Sequence, residues 1–162
     1  MRRVIAEIEI DRIVAEHVER RLQWEPLLPR RRTGYTRTRL TACDTYEVLA
    51  LLWFPEALTP IHDHGDSYCA TRVLAGELHV ARYERTEEAG AIAMRLVERG
   101  VQRAGDGDAL QSARQLHSVA NPGSREALSL HVYAPRFTAF GIYDESGARL
   151  SLASSRYDAV LG

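Results

Sequence analysis

Apolar positions in this chain follow two different periods. Between Asp11 and Trp24, the residues Ile13, Val14, Val18 and Leu22 recur at helical spacing on one side; Asp11 can cap the start and Pro26 stops the run. From Tyr35 onward the period shortens, and apolar residues alternate with polar ones or gather into brief runs, as strands do. Strands are predicted over 34–41, 45–54, 68–75, 77–84, 93–99, 116–120, 127–133 and 138–143. Turn residues fall between them, at Ala42-Cys43-Asp44, Ala75-Gly76-Glu77, Gly105-Asp106-Gly107-Asp108, Asn121-Pro122-Gly123 and Glu145-Ser146-Gly147. Many short strands at regular spacing predict a mostly β chain closed into a small antiparallel barrel or jelly roll. No repeat or linker divides it. The expectation is a single domain over 1–162, with a helical segment at about 1–26 and a β-barrel at about 33–155.

Composition narrows the function classes. A length of 162 residues with 45% hydrophobic and 27% charged content suits one globular domain with a sizeable core. A net charge of −1 with interspersed signs argues against a nucleic-acid or membrane-surface partner. Arg30-Arg31-Arg32 is the one basic run and reads as a solvated loop after Pro29. The longest apolar run, Val48 to Phe54, suits a buried strand and is too short to cross a bilayer. Charges at Glu7, Glu9, Asp11 and Arg12 interrupt any leader-like apolar stretch, so a cytoplasmic monomer is expected. Cys43 and Cys69 are too few for a disulfide framework.

The candidate chemistry lies in His62-Asp63-His64-Gly65-Asp66-Ser67-Tyr68-Cys69. On a strand, positions i and i+2 share a face, so His62 and His64 can close on one metal ion while Asp63 points away. His117 is the candidate third ligand, whereas His17 and His79 read as ordinary helix and strand residues. Three neutral imidazoles would leave Fe(II) its full charge and open positions, but they suit zinc, nickel or copper equally, and the residues alone leave the metal open.

The spacing then becomes specific. His62-x-His64, four residues, Cys69, six residues and Gly76, followed later by His117-x-x-x-Asn121, resembles the two motifs of the cupins. It departs from them in having cysteine where the carboxylate ligand would stand, and Ser112 and Arg114 in place of the second motif's Pro and Gly. Over roughly Tyr35 to Tyr143 the chain is similar to cysteine dioxygenase, the thiol dioxygenase branch. The likeness rests on Pro60 to Cys69, Leu116-His117, the Ser129-x-His131-x-Tyr133 triad and Tyr35-Thr36-Arg37.

The resemblance implies one Fe(II) per chain held by His62, His64 and His117, with L-cysteine chelating through thiolate and amine. It implies Arg37 as carboxylate anchor with Tyr35 assisting, Tyr133 beside dioxygen with His131 and Ser129 orienting it, and a possible thioether between Cys69 and Tyr133. The product would be cysteine sulfinic acid. Arg39 shares a strand face with Arg37 and stays an alternative anchor, and Trp53 reads as core. Members of the branch that take 3-mercaptopropionate tend to carry glutamine where Arg37 stands, which favours cysteine here. A dioxygenase for another small thiol carboxylate such as 3-mercaptopropionate, and a non-catalytic metal-binding cupin, remain the rivals.

Overall fold

A computed structural model describes residues 7–110 and 115–162, which include two helices and twelve strands. The helices are α1 (Glu7–Glu19) and α2 (Arg21–Trp24), followed by a 3-10 turn at Glu25–Leu27. The strands are β1 (Tyr35–Ala42), β2 (Glu47–Trp53), β3 (Ile61–His62), β4 (Tyr68–Ala75), β5 (Glu77–Glu88) and β6 (Ala91–Arg103). They continue with β7 (Gly107–Leu110), β8 (Gln115–Ala120), β9 (Ala127–Ala134), β10 (Ala139–Tyr143), β11 (Arg149–Ser154) and β12 (Ala159–Val160).

Two six-stranded sheets result, ordered β12-β1-β2-β9-β4-β7 and β11-β10-β3-β8-β5-β6. Every pairing is antiparallel except β1 with β12. At its centre, in β2 and β9, the first sheet is buried on both faces. Its inward side chains, among them Leu49, Leu51, Trp53, Cys69 and Val73, join Leu78, Val80 and Val119 of the second sheet in the barrel core. Its outward side chains, Val48, Ala50, Leu52, Leu128, Leu130 and Val132, are covered by Ile10, Ile13, Val14 and Trp24 of the helical segment. Two-sided burial explains why β2 reads as a continuous apolar run rather than as alternation. The tight turn into β5 depends on Gly76, which has φ +75° and lies where a Cβ would meet Ala127 at 2.8 Å.

The helical expectation needs correction in detail. The chain is already helical at Glu7, the first described residue, so Asp11 is an interior residue and caps nothing. The chain breaks at Arg20 (φ −91°, ψ 8°), which rotates the next turn; Trp24 therefore faces the sheet while Leu22 is 88% exposed. Pro26 sits inside the 3-10 turn, where its missing N–H costs nothing. Among the strands, β3 and β12 are too short to carry a period, and β7 begins inside the predicted turn at Gly105 to Asp108. β11 and β12 follow the last predicted strand, and β5 and β6 run longer than expected. Both cysteines are free, Cys43 exposed and Cys69 buried. Ser112 and Arg114 lie outside the described residues. Among the described residues, no helix is long and apolar enough to cross a membrane.

Candidate active site

Cross-strand register brings the three histidines together. His62 on β3 pairs directly with His117 on β8, and His64 follows in the turn beyond β3. Their ligating atoms lie within 4.8 Å of one another, and Nε2 of His62 is 3.2 Å from Nε2 of His117. Only His62 of the His-x-His pair is in a strand, so strand alternation accounts for half of the geometry. Asp63 accounts for the rest: it turns away, as expected, and anchors the turn. Its Oδ1 accepts from the backbone N–H of Gly65 (2.9 Å) and of Gly141 on β10 (2.8 Å), while Oδ2 accepts from the Tyr143 hydroxyl (2.6 Å). That contact pushes the Tyr143 hydroxyl, already raised by partial burial, up to about 12. Gly65 has φ +56° and sits where a Cβ would lie 2.8 Å from the Ala139 carbonyl oxygen, so β10 closes over this turn only because the residue is glycine.

The donor set fits a divalent transition metal. Burial lowers all three histidine pKa values, and for His64 and His117 the charge of neighbouring imidazoles lowers them further. Each ring is thus neutral and offers a lone pair. His62 Nδ1 lies 2.9 Å from the Pro60 carbonyl oxygen, a contact that assigns the proton to Nδ1 and leaves Nε2 as the ligating atom. His64 and His117 have buried Nδ1 atoms with no hydrogen-bond partner. Three nitrogen donors and no acid suit iron, zinc, nickel or copper over magnesium or calcium.

His62 and His117 border a cavity of about 260 Å³ whose opposite wall comes from the first sheet. Tyr35 and Arg37 of β1, Trp53 of β2 and His131 and Tyr133 of β9 line it, with Phe137 just before β10 and Phe140 on it. The expected triad forms on one strand face. The Trp53 indole donates to Ser129 Oγ (2.8 Å), Ser129 Oγ is 2.9 Å from His131 Nε2, and His131 Nδ1 is 3.3 Å from the Tyr133 hydroxyl. Burial and the nearby Arg37 push His131 down to about 3, so this imidazole is neutral. Burial, reinforced by Cys69, raises Tyr133 well above the usual phenol range, so its hydroxyl keeps its proton. Cys69 stands directly opposite Tyr133 across the β4–β9 pair. Burial raises the thiol's pKa, which keeps it protonated.

Arg37 faces the cavity, and Arg39 does not: the Arg39 Nε donates to the Gly162 carbonyl (3.0 Å) and its guanidinium lies over Tyr157. Tyr35 packs against Trp53 in a tilted arrangement, 4.8 Å between ring centroids. Trp53 is therefore both core and cavity wall, a double role that its apolar neighbours hide in sequence. Phe137 stacks on Tyr133 at 4.6 Å and carries no motif signal, whereas Asp63 lies inside the Pro60–Cys69 motif and shows its role of holding the ligand turn only in the fold. Replacing Asp63 with alanine removes three hydrogen bonds from the ligand turn, and metal affinity is expected to fall about 10- to 100-fold with the fold retained. Competitive metal titration against a chromophoric chelator measures this, and an unchanged affinity would deny Asp63 that role.

A two-sheet barrel carrying three convergent histidines defines a metal-site cupin. A model of the family "Cysteine dioxygenase type I" matches residues 5–146, and the chain belongs to that family. Cysteine dioxygenase type 1 of Danio rerio is 27% identical over 101 residues, covering 62% of this chain and 50% of that protein. The Rattus norvegicus protein of the same name is 25% identical over 118 residues, covering 72% and 58% respectively. The chain spans about half the length of these curated relatives. Among solved structures, a double-stranded β-helix protein from Klebsiella pneumoniae overlays with a TM-score of 0.53 at 18% identity, covering 74% of this chain and 93% of that one. That likeness supports the fold alone.

Proposed function

We propose that this protein is a non-haem iron thiol dioxygenase that converts L-cysteine and O2 to cysteine sulfinic acid. The observation that carries the reading is a cavity walled on one side by neutral histidines and on the other by a guanidinium and a protonated phenol. A small molecule with a thiol at one end and a carboxylate at the other matches those two walls. Fe(II) held by His62, His64 and His117 would supply a site where thiolate and dioxygen meet in one orientation. Both oxygen atoms enter the product: sulfur is oxidised by four electrons, dioxygen is reduced by four, and no external reductant is consumed.

The chain's own groups divide the remaining work. Arg37 takes the carboxylate with its planar fork of donors, and Tyr35 supports it from the same strand. The indole of Trp53 can only donate, so Ser129 accepts from it and is free to donate to His131 Nε2. His131 then carries its proton on Nδ1 and donates to the Tyr133 oxygen, leaving the phenol O–H as the donor aimed at substrate and oxygen. The facing pair Cys69 and Tyr133 supports formation of a thioether during turnover: a C–S bond forms, the thiol S–H and a ring C–H are lost, and the two electrons go to dioxygen, already a co-substrate.

A second reading has one observation in its favour. The described cavity lining contains no acidic side chain, so the protein itself offers the substrate ammonium no counter-charge. A thiol carboxylate without an amine, such as 3-mercaptopropionate, meets the same side chains. Anaerobically iron-loaded protein given each thiol separately, with oxygen uptake and sulfinate measured together, separates the readings. Cysteine is expected to turn over best, and no uptake with any thiol would sink the dioxygenase assignment. After turnover, intact mass is expected to show a fraction of chains two hydrogens lighter.

A further inference from the structure

Arg37 does not aim itself. A guanidinium on a flexible stem selects a carboxylate only if its plane is fixed beforehand, because ordering the side chain otherwise subtracts from binding. Here the fixing groups lie more than a hundred positions later in the chain. Arg37 donates through Nη1 to the Arg156 carbonyl (3.0 Å) and through Nη2 to Ser155 Oγ (3.1 Å), which uses two of the five guanidinium donors. The backbone of Arg37 is clamped to the same segment, its N–H donating to Asp158 Oδ2 (2.8 Å) and its carbonyl accepting from the Asp158 N–H (2.7 Å). The guanidinium carbon lies 5.5 Å from the Phe137 ring centroid and 6.0 Å from that of Tyr157.

Residues 155–158 are in turn locked to the barrel. Glu47 is fully buried, and a buried carboxyl persists only when its oxygens are satisfied. One of them accepts from the Phe137 backbone N–H (2.9 Å) and the other from the Tyr157 hydroxyl (2.5 Å). A single carboxyl on β2 thus ties together the aromatic wall that stacks on Tyr133 and the segment that holds Arg37. Ser155 adds a backbone bond to Thr138 (2.8 Å). The family match ends at residue 146, so this brace lies outside the matched residues.

We propose that residues 155–158, joined to the barrel through Tyr157 and Glu47, are the positioning element that aims Arg37 and so sets the preference for thiols bearing a carboxylate. The inference rests on Arg37 as carboxylate anchor. Ser155 and Tyr157 are positioning residues and touch no substrate.

The test compares L-cysteine with cysteamine, which lacks the carboxylate, on anaerobic iron(II)-loaded protein, reading dissociation constants by calorimetry and turnover by sulfinate. In Ser155→Ala and Tyr157→Phe, cysteine binding is expected to weaken about fivefold while cysteamine binding changes by less than about twofold, the size expected for one lost hydrogen bond acting through Arg37. Equal weakening for both thiols, or none for either, overturns the brace. Should Tyr157→Phe fail to fold with Glu47 left short of a donor, the half-buried Ser155→Ala decides alone. Wild type that binds cysteine without forming sulfinate refutes the dioxygenase reading while the binding ratio still decides the brace. Wild type that binds cysteine no better than cysteamine overturns the brace together with the anchor.

Discussion

Replacing His117 with alanine is expected to leave a folded protein that retains almost no iron and takes up no oxygen with any thiol. His117 lies on β8, directly across from His62, and supplies one of three converging nitrogens. Removing even an outer hydrogen-bond partner of a metal ligand costs roughly 10- to 100-fold in affinity, so removing a ligand itself is expected to cost more. The fold should survive because the imidazoles are held neutral by burial, and losing one strands no buried charge. The truncation does leave a cavity at a residue only 3% exposed. His117→Gln keeps most of the volume and separates packing from ligation. Metal analysis per chain, with circular dichroism as the folding control, gives the answer. Full iron occupancy in the glutamine variant would remove His117 from the ligand set.

The second large effect is expected at Arg37. Arg37→Gln should lower kcat/KM for cysteine by about 10- to 100-fold, mostly through KM, since hydrogen bonds to a charged partner contribute roughly 1.5–3 kcal/mol. Turnover of 3-mercaptopropionate should fall less, moving the preference toward that thiol. Side-by-side kinetics on the iron-loaded variant measure the ratio. An unchanged cysteine KM would show that the carboxylate binds elsewhere. Arg39→Gln is the control, because its guanidinium is turned toward Gly162 and Tyr157.

The barrel and its ligands were legible for reasons tied to particular residues. Alternation in β1 and the apolar run of β2 reflect one-sided and two-sided burial directly. His62, His64 and His117 stood out because their spacing is tight in one motif and tied to Asn121 in the other. What stayed hidden depends on contacts that no local pattern records. Two residues of β3 cannot show a period, yet they set the His62–His117 register. Arg37 and Arg39 share a strand face, and only the segment near Tyr157 separates them. The helix is legible but its orientation is not, since the break at Arg20 leaves no signature and exposes Leu22 where periodicity would bury it. Glu47 carries no motif signal in the sequence, and in the fold it is fully buried.

The division of the site between the two sheets has a consequence for substrate length. The histidines belong to the β3–β8 side and Arg37 to the β1 side, and facing sheets pack about 10 Å apart. On the proposed reading, the gap between sheets would work as a caliper whose span follows from backbone packing, with the segment at 155–158 aiming one jaw. A thiol longer by one methylene would have to fold within the jaws, and a shorter one could touch only one of them. Selection by length would thus be a property of the barrel's girth, distinct from the selection for a carboxylate that residues 155–158 would set through Arg37.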